Sequence, residues 1–286
     1  MNNNIEKVTS KHISSFIKNR NQESHKGTYG HALIIAGSFG KMGAAVLAAK
    51  ACLKTGVGLL TMYVPKCGYT ILQSTVPEAM VICTESETTI SEFTNLNNFN
   101  VVGIGCGIGK SAETKKTLRE TIRRFEKPMV IDADAINIIA ENKAWLKWIP
   151  AESIFTPHAV EFERLVGKST NEIEKNKLQI AFSKKYNVYV VLKGHHTAIT
   201  CPNGNTFTNT TGNAGMAKAG NGDALTGMIT ALLAQGYTPE QACIAGVYLH
   251  GLAGDIAVKE TGEFSLLASD LIDTIGKAFF EIFQHR

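Results

Sequence analysis

The sequence predicts an α/β protein with a mostly parallel central sheet covered by helices on both faces, a three-layer α/β/α arrangement that ends in helices. Six short apolar runs recur between residues 31 and 194, separated by glycine or polar turns and by helical patterns. Strands of parallel sheets have such near-continuous apolar character because both faces of the sheet are covered. From about residue 222 onward the pattern is helical only.

The individual elements follow from these patterns in chain order. Apolar runs of strand length predict buried strands at residues 31–37, 59–65, 100–105, 127–134, 153–158 and 188–194. An Asn-Gly turn inside residues 196–209 predicts a β-ribbon. Helical periodicity predicts helices at residues 41–58, 111–125, 222–235, 239–259 and 268–284.

The domain organisation is simple. Residues 1–26 have no signal-peptide pattern, and we expect them to form a helical leader and connector. Residues 27–286 contain no internal repeat and no low-complexity linker, which predicts a single catalytic domain.

Composition narrows the class of partner and the compartment. The net charge is +4 and the basic residues are dispersed, so nucleic-acid binding is not indicated, whereas an anionic small molecule suits the chain. No apolar run approaches the ~20 residues of a membrane span, so no membrane partner is expected. The six cysteines lack the spacing of a zinc site or a disulfide framework, which favours a reducing cytoplasm.

The loop that precedes the predicted helix 222–235 is the strongest candidate for chemistry. Gly220 and Gly222 let backbone N–H groups approach a ligand at the helix N-terminus, where unpaired donors and the helix dipole favour an anion such as phosphate. Asp223 beside such a site could deprotonate a hydroxyl that attacks the phosphate. The alternative is that Asp223 only caps the helix. A cap does not need the long glycine- and alanine-rich stretch TGNAGMAKAGNGD, which favours a site.

Other strand ends carry polar candidates with structural alternatives. His158 follows Pro157 at a predicted helix start, where a cap and a ligand contact are both open. Asp132 and Asp134 follow a strand, with Asn137 one turn later. A metal site and a helix cap are alternatives there, and we interpret the three as groups that position the substrate.

Two further glycine-containing segments follow predicted strands. Lys193 and Gly194 end a strand, where a lysine can meet phosphate oxygens. The segment GIGCGIGKS (103–111) fits neither a Walker loop nor a dinucleotide fingerprint. It still permits close approach of a ligand to the backbone.

The segment AGNGD, followed by an alanine- and leucine-rich helix, resembles the anion-hole motif of the ribokinase-like superfamily. Within that superfamily, five blocks in order over roughly residues 25–280 resemble the ADP/ATP-dependent NAD(P)H-hydrate dehydratases. The blocks are KGTYGHALIIAGSFGKMGAAVLAAKACLKTGVGLL, VIDADAINII, TPHAVEFERLVG, VVLKGHHTAI and NAGMAKAGNGDALTGMI. Lys41, Met42 and the second histidine of KGHHT are small departures outside the anion hole.

The resemblance implies roles for particular residues. Asp223 would be the catalytic base and would contact the substrate. The anion hole would comprise Ala219, Gly220, Asn221 and Gly222. Nucleotide contacts would come from Lys193, Gly194, His195, His196, Thr197 and Gly222. The remaining substrate contacts would come from Ala44, Gly107 and His158.

The resemblance also implies the reaction: ADP- or ATP-dependent dehydration of the S epimer of NADHX and NADPHX back to NADH and NADPH, through phosphorylation of the ring hydroxyl. Mg²⁺ would bind with the nucleotide phosphates rather than to the protein alone. Kinship favours ADP as the nucleotide, a homo-oligomer (a tetramer above other states), and partnership with a separate NAD(P)H-hydrate epimerase. Three alternatives stay open: a ribokinase-like kinase of a vitamin precursor, a nucleotide sensor without turnover, and a dinucleotide-dependent oxidoreductase.

Overall fold

The computed structural model describes residues 5–92 and 95–284 of the 286-residue chain. Residues 1–4 of the predicted leader lie outside the described residues. The same holds for residues 93–94 and 285–286 of the predicted domain.

Ten strands within the described residues join into one sheet. They are β1 (Ile5–Lys7), β2 (His31–Ile35), β3 (Leu59–Val64), β4 (Met80–Cys83), β5 (Val101–Ile104), β6 (Met129–Ile131), β7 (Ile154–Phe155), β8 (Tyr189–Leu192), β9 (Ala198–Thr200) and β10 (Thr206–Thr208). Their order across the sheet is β1-β10-β9-β8-β7-β6-β5-β2-β3-β4. Strand β9 is antiparallel to both of its neighbours, and the other pairs are parallel. The prediction of a mostly parallel sheet is confirmed.

Helices cover both faces of this sheet. They are α1 (Ser10–Ser14), α2 (Met42–Lys54), α3 (Tyr69–Thr75), α4 (Ala112–Arg124), α5 (Ala133–Glu141), α6 (Ala159–Val166), α7 (Glu172–Tyr186), α8 (Asn221–Ala234), α9 (Pro239–Ser265) and α10 (Ala268–Gln284). Alternate residues of a strand point to opposite faces. In β2, Leu33 and Ile35 pack with α4–α7, whereas Ala32 and Ile34 pack with α2 and α8. The three-layer architecture and the helical C-terminal end are confirmed.

The predicted elements are present with shorter strands. The six predicted parallel-sheet strands are β2, β3, β5, β6, β7 and β8, and the predicted ribbon is the antiparallel pair β9–β10 around Gly204. The predicted helices correspond to α2, α4, α8, α9 and α10. Helix α9 extends to Ser265 rather than residue 259, with a break in helical geometry at Gly262, where φ is 70°.

The leader differs from the expectation of a helix and connector. Its helix α1 spans only Ser10–Ser14, and β1 before it adds a strand to the sheet by parallel pairing with β10. Val8, Ile13 and Ile17 are at most 1% exposed and belong to the core beneath α9 and α10. The described part of the leader therefore packs as part of the sheet and core. The boundary between residues 26 and 27 stays a prediction.

Strand β4 was not predicted either. It is an edge strand in which Met80 and Ile82 are exposed, and its extended form depends on pairing with β3. The apolar run AMVIC at residues 79–83 is a local signal for this strand that the predicted elements did not include.

Helix α9 has the length and apolar character of a membrane-spanning helix. However, 78% of its most apolar window is buried inside the protein. It packs between α8 and α10. We therefore interpret α9 as a core helix.

The contact between α2 and α8 depends on a glycine. A Cβ at Gly227 would lie 2.2 Å from the carbonyl oxygen of Ala48. We expect Gly227→Ala to lower the free energy of unfolding by about 1–3 kcal/mol, because the added methyl group forces the two helices apart. Urea unfolding followed by circular dichroism measures the change.

Gly276→Ala is the matched control. Gly276 lies in α10, and an added Cβ there would have no neighbour within 4 Å. The exposed substitution should stabilise the helix by up to about 1 kcal/mol. Equal unfolding energies for the two variants would contradict the packing argument.

Candidate active site

The predicted site residues gather at the carboxyl ends of the central strands. From β5 the chain proceeds across the sheet to β6, β7 and β8, whereas from β2 it proceeds the other way to β3 and β4. Ligands of open α/β sheets bind at such a reversal. The loops after β2 and β5 are joined there by a hydrogen bond from the N–H of Gly37 to the carbonyl of Cys106, at 2.8 Å.

Helix α8 points its N-terminus at this edge. Gly220 occupies the N-cap position with φ of 97°, a left-handed conformation that suits glycine, and no side chain caps the helix. The first N–H groups of a helix have no partner within the helix. An anion at this end can therefore meet backbone donors and the positive end of the helix dipole.

Asp223 lies in the first turn of α8 but not at its cap position. Asp223 is therefore not the N-cap residue of α8. Burial raises the pKa of its carboxyl to about 6, with the Asp132 carboxylate adding to the rise, while the Cys106 thiol and Lys193 oppose it. A carboxyl that titrates near neutral pH suits a general base.

A buried carboxylate lies beneath this turn. Asp132 is 1% exposed, and its Oδ1 is 2.7 Å from Nζ of Lys193, while its Oδ2 accepts a hydrogen bond from Oγ1 of Thr226 at 2.7 Å. Asp132 is the N-cap residue of α5, yet its side chain makes no capping hydrogen bond. The two predicted residues Asp132 and Lys193 are thus brought together. Thr226 was missed, although it lies three residues after Asp223 on one helix.

Asn221 has a structural role in the predicted anion hole. Its side-chain Nδ2 donates to the carbonyl of Met216 at 2.8 Å, and its own carbonyl is 2.9 Å from Nε2 of His250. Any contribution to an anion would come from its backbone N–H. His250 is a buried residue of α9 that no motif in the sequence singles out.

Asp134 and Asn137 separate in the structure. The Oδ2 of Asp134 accepts a hydrogen bond from the N–H of Gly109 at 2.9 Å and is 3.6 Å from Nζ of Lys41. Asp134 therefore stabilises the glycine-rich loop after β5. Asn137 instead accepts a hydrogen bond from Arg164 and links α5 to α6.

His158 caps α6 in a reciprocal arrangement with Glu161. Its Nδ1 accepts the N–H of Glu161 at 3.3 Å, and the Glu161 carboxylate accepts the N–H of His158 at 2.9 Å. The capping interpretation of His158 is therefore confirmed. Its side chain is 52% exposed, so contact with a substrate stays a prediction.

The other predicted contacts form two groups. A Cβ at Gly107 would lie 3.1 Å from the Cβ of Ala44, so these two predicted substrate residues are adjacent. The loop after β8 closes on itself through a hydrogen bond from Oγ1 of Thr197 to the carbonyl of Gly194 at 3.1 Å. The rings of His195 and His196 are exposed there, with centroids 4.2 Å apart.

A groove of about 710 Å³ lies elsewhere, between the leader and the C-terminal ends of α2 and α8, and it includes none of the predicted site residues. Among residues 5–92 and 95–284 there is no group of three or more His, Cys, Asp or Glu that could hold a metal. All six cysteines are described and free.

A sequence model of the NAD(P)H-hydrate dehydratase family matches residues 32–277. The chain belongs to the NAD(P)H-hydrate dehydratase family. It is 33% identical over 286 residues to the ADP-dependent (S)-NAD(P)H-hydrate dehydratase of Listeria monocytogenes, covering 98% of this chain and 100% of that protein.

Longer relatives and solved structures extend the comparison. The chain is 36% identical to the bifunctional NAD(P)H-hydrate repair enzyme of Moorella thermoacetica over 93% of its own length, but it spans about half, 52%, of that relative. The Bacillus subtilis ADP/ATP-dependent NAD(P)H-hydrate dehydratase, co-crystallised with ATP/Mg²⁺, matches with a TM-score of 0.85 at 29% identity, covering 98% of this chain and 99% of that one. The ribokinase of Thermotoga maritima, at 15% identity and a TM-score of 0.52, covers 86% of this chain and 99% of that one. It shares the fold alone, and the ribokinase-like fold is confirmed.

The buried imidazole of His250 predicts a pH dependence of stability. Burial lowers its pKa to about 4, below the ordinary value near 6.5, so the unfolded chain binds a proton between these values and the folded protein does not. Stability should therefore fall as pH drops through this window, by about 2 kcal/mol between pH 7 and pH 5.

His250→Gln isolates this contribution, because glutamine keeps an N–H donor for the Asn221 carbonyl but does not titrate. We expect urea unfolding energies of the variant to lose about 2 kcal/mol less than wild type over the same pH range. Because the pKa of Asp223 is raised in the folded protein, Asp223 increases stability as pH falls. This effect is the same in wild type and in His250→Gln. Parallel pH dependences would contradict a neutral buried His250.

Proposed function

We propose that this chain dehydrates the S epimers of NADHX and NADPHX to NADH and NADPH, using ADP or ATP to phosphorylate the ring hydroxyl. The observation that carries the proposal is Asp223, a half-buried carboxyl with a raised pKa in the first turn of α8, within a member of the dehydratase family. A helix N-terminus that can hold a phosphoryl group beside a base that can deprotonate a hydroxyl supports phosphoryl transfer to that hydroxyl.

The first step forms the phosphate ester. Ionised Asp223 takes the proton of the ring hydroxyl, and the hydroxyl oxygen attacks the terminal phosphorus of the nucleotide. The new O–P bond forms as the bond to the leaving nucleotide oxygen breaks, so ADP becomes AMP or ATP becomes ADP. Backbone donors of residues 219–222 and the helix dipole stabilise the charge that develops on the phosphoryl oxygens.

The second step removes phosphate. The C–O bond breaks and its electron pair leaves with inorganic phosphate, while the lone pair of the ring nitrogen forms a C=N bond. Loss of a proton from the adjacent ring carbon then restores the dihydropyridine. The hydroxyl oxygen departs in the phosphate, so the net change in the substrate is loss of water.

The hydrate and the nucleotide bind to different loops around Asp223. The hydrate lies over the two adjacent small residues Gly107 and Ala44, and the exposed ring of His158 adds a side-chain contact. The loop 193–197 and Gly222 bind the nucleotide. His158 and Lys193 form a parallel bridge between adjacent strand ends, so the two ligand sites adjoin.

Mg²⁺ fits this site as a partner of the nucleotide phosphates. Among the described residues, the carboxylates of Asp223 and Asp134 lie near the N-terminus of α8, without a cluster of three or more possible ligands. When bound, Mg²⁺ neutralises phosphate charge.

The assembly and the compartment are also proposals. We propose a homotetramer in the cytoplasm that works with a separate NAD(P)H-hydrate epimerase. The six free cysteines suit a reducing compartment, and the bifunctional repair enzymes among the relatives suggest the epimerase partnership.

The reaction is tested by incubating the protein with NADHX, Mg²⁺ and either ADP or ATP while absorbance of the reduced nicotinamide is recorded. We expect absorbance to recover with an equal release of phosphate, and kcat/KM to fall as pH drops below about 6, because protonated Asp223 cannot act as a base. Asp223→Asn should reduce kcat by at least about 100-fold with little change in nucleotide affinity.

Asp273→Asn, an exposed aspartate of α10, is the control and should keep wild-type turnover. Near-normal turnover of Asp223→Asn would remove Asp223 from the role of base. A stable phosphorylated product without phosphate release would instead indicate the vitamin-precursor kinase. Binding without any product would indicate a sensor.

The role of His158 is separable from its cap. His158→Asn keeps a good N-cap residue, whereas His158→Ala loses the cap at a cost of about 1 kcal/mol in unfolding free energy. If the ring contacts the hydrate, both variants should raise the KM for NADHX several-fold and leave the KM for nucleotide near its wild-type value. An unchanged hydrate KM in His158→Asn would leave His158 with the capping role alone.

A further inference from the structure

The ion pair between Asp132 and Lys193 is placed where the proposed chemistry needs a positive charge. The Lys193 side chain is 21% exposed and the Asp132 side chain 1% exposed. A Cβ at Gly222 would lie 3.3 Å from the Lys193 Nζ and 3.9 Å from an Asp132 carboxylate oxygen. The ammonium group therefore lies beside the first turn of α8, next to Gly222.

We propose that Lys193 is the fixed positive charge of the phosphate site and that Asp132 is a positioning residue, itself held by Thr226, that keeps the ammonium against the first turn of α8. This inference rests on the proposed function, because it assigns a task to residues around the same transferred phosphoryl group.

The backbone of Lys193 is anchored independently of its side chain. Its N–H donates to the carbonyl of Pro157 at 2.8 Å, and the residue bridges to His158 across the neighbouring strand end. The flexible part is the four-carbon side chain. Its direction is decided by the 2.7 Å contact with the Asp132 carboxylate, which is in turn fixed by the hydroxyl of Thr226.

A purely structural role for Asp132 is less consistent with its geometry. As N-cap of α5 it has the extended backbone of a capping residue, and an aspartate there commonly stabilises a helix through its side chain. Its carboxylate instead turns to Lys193 and Thr226. Ala133, the next residue, adopts φ of 48°, which non-glycine residues rarely do. Buried ion pairs are in general weak contributors to stability.

The charges around Lys193 explain how it stays protonated. Burial lowers the pKa of Lys193, but the Asp132 carboxylate, together with Glu161 and Cys106, raises it by more, so the pKa is raised overall. Asp223 and His250 also interact with the Lys193 charge, and His158 lies beside Lys193 at the neighbouring strand end. Without the Asp132 charge, burial would act against the ammonium form.

The test is the pH dependence of ADP binding by the full-length protein, measured by calorimetry between about pH 7.5 and about pH 9.5, where ADP and the carboxylates are already ionised. Wild-type affinity should be nearly constant. Affinity of Asp132→Asn should fall at least about tenfold across this range, as its buried lysine loses its proton. Lys193→Met should be weak and independent of pH, and Asp132→Asn should approach it at the alkaline end.

Glu141→Gln is the matched control, since Glu141 is also a carboxylate paired with lysines, Lys110 and Lys115, but at the surface. Its ADP affinity should match wild type at every pH. If Asp132→Asn is folded by circular dichroism and binds ADP like wild type at all pH values, the ion pair is structural only and the proposal is overturned.

Thr226 offers a second route if Asp132→Asn does not fold. Thr226→Val keeps the shape but removes the hydroxyl that fixes Asp132, so ADP affinity should fall several-fold, and Thr226→Ser should restore it. If Thr226→Val and Thr226→Ser both bind ADP as tightly as wild type, the proposal is also overturned. Failure of the proposed function is distinguishable, because wild type would then bind ADP with this pH behaviour yet leave NADHX unchanged.

Discussion

The site depends on the close packing of helix α8 against the sheet and against α2. Gly227 lets the backbone of α8 meet the carbonyl of Ala48, and in β5 a Cβ at Gly103 would lie only 2.5 Å from the hydroxyl of Thr230. Small residues at both contacts bring the helix axis near the strands. Its N-terminus therefore ends directly at the carboxyl edge, among the loops that follow β2, β5, β6 and β8.

This close packing of α8 determines how the two aspartates of the site are buried and paired. One carboxylate, Asp132, is buried and compensated by Lys193 and Thr226. A second carboxylate, Asp223, lies in the first turn of α8 and forms no ion pair with a lysine or arginine of the described chain. Burial and the nearby Asp132 carboxylate therefore raise its pKa to about 6. Two aspartates of similar intrinsic acidity are thus given different tasks by their surroundings, a pattern common to sites that combine binding with proton transfer.

The edges of the sheet are completed by segments far away in sequence. Strand β1 pairs with β10, and α1 packs beneath α9 and α10, so the N-terminal residues cover one side of the core. At the other edge β4 lies beside β3 with half-exposed side chains. Neither edge strand contributes a residue to the candidate site, whose residues come from the loops after the central strands and from the first turns of the helices that follow them.

The sequence by itself determined the central strands, the helices α2, α4, α8, α9 and α10, and the loops that carry the site, because apolar periodicity and glycine placement are local properties. It also indicated Asp223 and the glycines before it. Only the tertiary structure decided that Asp132 and Lys193, 61 residues apart, form an ion pair and that Thr226 holds the Asp132 carboxylate. It also decided that His250 contacts the first turn of α8 at Asn221 and that β1 pairs with β10. These depend on contacts between distant segments, whose side-chain directions and charges no local pattern specifies.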